Sequence, residues 1–180
     1  MKKKILGITL IAVFLAMLIA PAMAGKGNNK LSYEATFRLD SFTLAYRFVP
    51  APPPDANVVF VTVTSPVASL FTLEIAGVTY EPNYDAEMLL KKNVDQDFRT
   101  LRATETYTFD GVEGSLVVSV VGRTNNMDTA EQMDTVNVEG HGTGYFEGVK
   151  ISAKGSCVLG DPTLKIHEGT IMGWPGLPAP

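Results

Sequence analysis

Glu105 and Glu168 each interrupt an otherwise apolar row. At the two-residue period of a β-strand, Glu105 shares a face with Leu101, Ala103, Tyr107 and Phe109, and Glu168 shares one with Leu164, Ile166, Thr170 and Met172. If these rows line an interior, two carboxyl groups point inward. A buried carboxylate is costly unless paired or protonated, so its pKa rises and it becomes able to exchange a proton near neutral pH. Glu105 and Glu168 are therefore the candidate catalytic or ligand-anchoring acids, and Tyr107 and Phe109 the candidate ligand-lining residues. Arg102 and Arg123 are conceivable partners, although Arg102 belongs to the face opposite Glu105. Both acids also fit strand ends near solvent, or a register shifted by a bulge.

The two histidines, His141 and His167, each lie near a glutamate, in Glu139-x-His141 and His167-Glu168. Residues i and i+2 of a strand share a face, so Glu139 and His141 could touch one metal ion. Zinc needs three or four ligands, so no metal site is assigned, and both histidines read as solvated side chains on wet faces. Cys157 is the only cysteine, so no disulfide supports the fold, and the thiol is expected to be buried. No nucleophile-elbow motif accompanies these residues, and no cofactor is implied.

The stretch Gly140-His-Gly-Thr-Gly-Tyr-Phe-Glu-Gly148 is rich in glycine without being a phosphate loop. A phosphate loop ends in Gly-Lys-Ser/Thr before a helix, and Lys154-Gly155-Ser156 has the wrong order. A dinucleotide loop has G-x-G-x-x-G spacing. Alternation instead puts Gly140, Gly142 and Gly144 on one strand face, where missing side chains permit sharp coiling or let neighbouring rings lie over the strand. Glu147-Gly148 then turns the chain into a hairpin. The segment Gly142-Thr-Gly-Tyr-Phe-Glu-Gly148 resembles the G-x-G-x-F-E-G hairpin of the allene oxide cyclase barrel, and dirigent proteins have a similar segment. The resemblance covers seven residues directly and the last third of the chain loosely. It implies an eight-stranded antiparallel barrel with an apolar interior and carries over no catalytic residue. The chain departs from those families at Lys150 and Ile151, where another small residue usually follows.

Strand periodicity dominates the elements that must position these groups. Leu31–Asp40 alternates strictly, and Phe42–Val49 continues the pattern. Pro50–Pro54 reads as a stiff exposed loop, because proline has no amide hydrogen for a ladder. Asn57–Thr64 and Leu70–Tyr80 are strands. Asp85–Lys92 reads as two turns of helix capped by Asp85. Phe98–Phe109 and Glu113–Arg123 flank the hairpin signal Asp110-Gly111, and residues 124–134 form a polar connection. Thr135–Phe146, Val149–Leu159 and Thr163–Gly173 complete the set. The prediction is an all-β fold, a single antiparallel β-barrel of about eight strands with little helix, over residues 25–173. Residues 174–180 form an irregular Pro/Gly tail expected to fray, with Trp174, Tyr80 and Tyr84 as rim aromatics.

Residues 1–24 read as a secretory signal peptide: Lys2–Lys4, an uncharged run from Ile5 to Ala20, and Ala22-Met23-Ala24 as the cleavage site. The alternative is a retained membrane anchor. Removing three lysines leaves 12 basic against 19 acidic residues, a net charge of −7, which offers no basic stripe to a nucleic acid. The remaining 156 residues make one domain without a second span. The expected function is non-catalytic binding of a small apolar ligand or a surface component, outside the cell or on its envelope. A cyclase- or isomerase-type enzyme with an inward carboxylate is the alternative. A structural surface protein with a filled core is the third reading.

Overall fold

The computed structural model describes residues 29–50, 57–93, 95–96, 98–125, 133–158 and 161–179. The signal segment lies outside these residues, as do most of the proline stretch and most of the polar connection. Among the described residues nine strands occur in chain order: β1 (Lys30–Val49), β2 (Val58–Ile75), β3 (Val78–Tyr80), β4 (Asn83–Asn93), β5 (Phe98–Thr108), β6 (Ser115–Asn125), β7 (Met133–Gly142), β8 (Lys150–Val158) and β9 (Asp161–Met172). A single 3₁₀ turn, Gly144–Phe146, joins β7 to β8. Among the described residues no helix is long and apolar enough to cross a membrane.

All nine strands belong to one antiparallel sheet, ordered β1-β9-β8-β7-β6-β5-β4-β2-β3, with β1 also paired to β2. The sheet is curled into a half-barrel, which corrects the expectation of a closed barrel of about eight strands. The pairing partners of β1 and β2 change along their length. β1 pairs with β9 only over Lys30–Arg38, and beyond that point its partner is β2 alone. β2 pairs with β4 over Val58–Thr64, but over Leu73–Ile75 it pairs with the short β3 instead. Register shifts between Arg38 and Thr43 accompany this change of partners. Bulges of this kind bend a strand and tighten its twist.

The two-residue period decides what faces inward. Tyr33, Ala35 and Phe37 of β1, Ala103, Glu105 and Tyr107 of β5, and Leu116, Val118 and Val120 of β6 are buried, and the residues between them are more exposed. Cys157 is buried as expected. The segment 85–92 is strand β4 and not helix. Ala86 and Met88 are buried while Glu87 and Leu89 are exposed, so the alternation that helical spacing obscured is the one that folds.

The glycine cluster is the bend of a hairpin. β7 ends at Gly142, earlier than predicted, and the 3₁₀ turn tips Phe146 back over it. A Cβ on Gly142 would collide with the Phe146 backbone, so only glycine accepts this approach. Phe146 is fully buried and stacks on Trp174, with ring centroids 5.2 Å apart and an interplanar angle of 4°. Tyr80 and Phe109 complete this aromatic layer, at 5.5 and 5.9 Å from Trp174. The C-terminal segment has no regular structure, yet it does not fray at its start: Trp174 anchors it. A second aromatic layer, Phe37, Phe71, Tyr84 and Tyr107, fills the middle of the half-barrel.

Candidate functional site

Glu105 sits in the second aromatic layer and is 2 % exposed. β5 places it there between Ala103 and Tyr107, on the inward row. Its Oε2 accepts a hydrogen bond from the Tyr107 hydroxyl at 2.6 Å, and His167 Nδ1 lies 3.8 Å from the same oxygen. That second distance is too long for a hydrogen bond. The Tyr33 and Tyr84 hydroxyls and His167 Nδ1 are buried without a well-formed hydrogen bond among the described residues, although the Tyr84 hydroxyl lies close enough to Glu105, and that of Tyr33 to Tyr107, for each to act on the other's ionisation. Buried polar groups are normally satisfied, so His167 Nδ1, 3.8 Å from Glu105, is the loose end of this network.

The register explains how His167 reaches this place. Ala35 of β1 and Gly155 of β8 flank it across the two ladders. A Cβ on Gly155 would strike the imidazole, so the glycine creates the space the ring occupies. Phe37 meets the imidazole edge-on at 5.0 Å. Two residues earlier on the same inward row, Lys165 forms an ion pair with Asp134, whose other oxygen accepts from Thr124 at 2.6 Å. The Asp134 backbone N–H donates to Cys157 Sγ at 3.2 Å.

Burial pushes the Glu105 carboxyl up to about 7, against the pull of the Tyr107 hydroxyl and then of the Tyr84 hydroxyl. Burial, and then the positive charge of Lys165, take the His167 imidazole down to about 4, with Asp134 acting the other way. Tyr33, Tyr84 and Tyr107 are all raised by burial and by the Glu105 charge. At neutral pH the cluster therefore holds a neutral imidazole, three neutral phenols and a carboxyl group near its midpoint. Such a carboxyl group donates a hydrogen bond in one state and accepts in the other.

Beside this cluster lies a partly open cavity of about 40 Å³. Glu105, His167, Lys165, Asp134 and Ser156 supply its polar lining. Phe37, Leu39, Met88, Leu101, Ala103, Val120 and Val136 supply its apolar lining. A water needs roughly 10–15 Å³ of such space, so the cavity takes a head group of a few atoms and no more.

Of the residues the sequence singled out, Glu105 and Tyr107 come together. Glu168 does not join them: it is exposed on the outer face of β9, and the inward row of β9 is Lys165, His167, Gly169 and Ile171. The row Leu164, Ile166, Thr170 and Met172 is the more apolar in composition, but pairing with β1 turns the other row inside. Phe109 is buried in the Trp174 layer, and neither Phe109 nor Tyr107, the two candidate ligand-lining residues, lines the cavity. Arg102 and Arg123 are exposed, and Arg123 donates to Asn125 Oδ1 at 2.9 Å. His141 and Glu139 share the exposed outer face of β7. Among the described residues no group of three or more ligating side chains gathers for a metal ion.

Sequence reasoning missed His167, Tyr33, Tyr84, Lys165 and Asp134 as members of one cluster. The available signal was the pair of small residues, Gly155 and Gly169, opposite strands with bulky inward rows. Comparison with family models, with curated proteins and with solved structures finds no match.

Proposed function

We propose that this chain is a β-barrel-like binding protein, working outside the cell or on its envelope, that holds a small ligand at the Glu105 cavity without transforming it. The observation that carries this reading is a buried carboxyl group, Glu105, beside His167, whose Nδ1 meets no hydrogen-bond partner among the described residues, both in the lining of a partly open cavity. A ligand with one hydrogen-bonding head and an apolar body would satisfy that nitrogen. The head would meet Glu105 and His167 among Leu39, Met88 and Leu101, and the body would extend out through the open side. The likeness of Gly142–Gly148 to the allene oxide cyclase hairpin agrees with an interior of this kind.

A second reading has its own support. Glu105 ionises at about 7, and a group near its midpoint both abstracts and returns a proton efficiently. An isomerase or cyclase acting on the same ligand would use Glu105 as base and acid, with Tyr107 orienting it.

Thermal melts against a panel of small alcohols, ketones and carboxylic acids with apolar bodies test the binding reading. A ligand at a hundredfold excess over its Kd should raise Tm by about 5 °C or more, and Ala103→Leu, which fills the cavity, should abolish the rise. No shift with any compound, or a shift that survives Ala103→Leu, overturns it and favours a structural protein with a filled core. Conversion of a bound compound that stops in Glu105→Gln, with binding retained, selects the enzyme.

A further inference from the structure

The two margins of the curled sheet differ in kind. One is β3, three residues long, paired only with β2. A very short strand is the usual way to blunt an edge. The other is the upper half of β1. β9 leaves β1 at Arg38, and from Thr43 to Val49 the strand pairs, among the described residues, with β2 alone, in unbroken register from Thr43↔Thr64 to Val49↔Val58. Seven residues of extended chain present an open backbone edge of roughly 23 Å.

Among the described residues, none of the usual protections guards this edge. Thr43-Leu-Ala-Tyr-Arg-Phe-Val49 contains no proline and no lysine, and the register shifts that would twist a strand away lie before Thr43. Its one charge, Arg47, has its guanidinium folded over the Phe60 ring of β2 at 4.3 Å. The segment also holds three exposed large apolar residues, Leu44 at 38 %, Tyr46 at 57 % and Val49 at 36 %. Tyr46 and Phe48 stack side by side at 6.4 Å, so an apolar strip runs along the same margin.

We infer that this edge pairs with the same edge of a second copy, extending the sheet across a two-fold axis through Tyr46. Antiparallel pairing about that residue is self-complementary. Leu44 meets the partner's Phe48, Ala45 meets the partner's Arg47, and Thr43 meets the partner's Val49. Tyr46 meets its own equivalent, giving an aromatic cross-strand pair on the exposed strip. No two like charges stand directly opposite, whereas an unrelated acidic or basic peptide would find no charge partner here except a guanidinium already engaged with Phe60. Main-chain hydrogen bonds supply affinity and the alternating apolar side chains supply register, as in other strand additions. The inference does not depend on the occupancy of the Glu105 cavity.

Sedimentation velocity of the purified protein, as the cell processes it, tests the pairing. The sedimenting mass should rise from one chain to two with concentration. Tyr46→Lys and Tyr46→Glu each put like charges face to face and should raise the dissociation constant about tenfold or more. An equimolar mixture of the two variants should restore the two-chain mass, because only across the two-fold axis do the new charges meet as opposites. A wild-type chain that stays monomeric overturns the inference, as does a dimer that both variants leave intact or a mixture that does not recover. Amide hydrogen exchange over Thr43–Val49 in the unmodified chain gives a second reading that needs no variant. Exchange should slow as concentration rises, and concentration-independent exchange overturns the pairing.

Discussion

At the scale of single residues, Glu105 and His167 are two buried groups displaced in opposite directions, and their effects on stability oppose each other. Glu105 keeps its proton in the folded protein up to about 7, while in the unfolded chain it loses it near 4.5. Its contribution to stability is therefore highest below about pH 4.5 and is lost as pH rises toward 7. His167 stays neutral down to about 4 when folded but charges near 6.5 when unfolded. Its contribution is present above 6.5 and is lost as pH falls toward 4. Each effect amounts to about 3 kcal/mol, so between pH 4.5 and 6.5 they nearly cancel. Glu105→Gln should unmask the histidine and give stability that falls with acidification over pH 6.5 to 4. His167→Gln should do the reverse, with stability falling as pH rises from 4.5 to 7. Urea unfolding across this range measures both slopes, and two flat profiles would contradict the assignment. The sequence revealed Glu105 because it breaks an apolar row. It concealed His167 because the outward row of β9 is the more apolar in composition, and register, which decides between the rows, is a long-range property.

At the scale of elements, the account rests on small residues making room for large ones. Gly155 of β8 leaves the volume that the His167 ring fills. Gly155→Ala forces the imidazole and Val136 to move, and should cost about 1–3 kcal/mol in chemical denaturation. A neutral outcome would mean that the ring is not held where described. The C-terminal segment shows the same logic in reverse. Its prolines and glycines exclude a strand, which was legible in the sequence, but irregular backbone does not imply loose packing. Trp174 contacts Phe109, Phe146 and Tyr80, and Trp174→Ala should cost about 3 kcal/mol and lower Tm in a thermal melt. A truncation before Trp174 that left Tm unchanged would contradict this packing. The β4 segment was misread because Met88, Leu89 and Lys92 also fit helical spacing. Pairing with β2 and β5 overrides that local preference.

At the scale of the whole molecule, strand alternation was enough to specify an all-β antiparallel sheet, because Tyr33, Ala35 and Phe37 alternate cleanly with polar neighbours. It was not enough to predict how the sheet ends. β1 and β2 read as two strands each, since the bends at residues 39–43 and 65–69 look like interruptions when seen one strand at a time. They are the places where partners change, and they leave β1 with one long margin that no described strand covers. They also leave the cavity beside Glu105 as a partly open break in a packed interior. The central claim is that this interior is dry enough to hold a carboxyl group half-protonated at neutral pH. Carbon-13 NMR of protein labelled at the glutamate side-chain carboxyl measures it directly, with Glu105→Gln to assign the signal. The account predicts that one glutamate titrates at about pH 7, apart from all the others. A Glu105 signal that titrates between pH 4 and 5 with the exposed glutamates would contradict it.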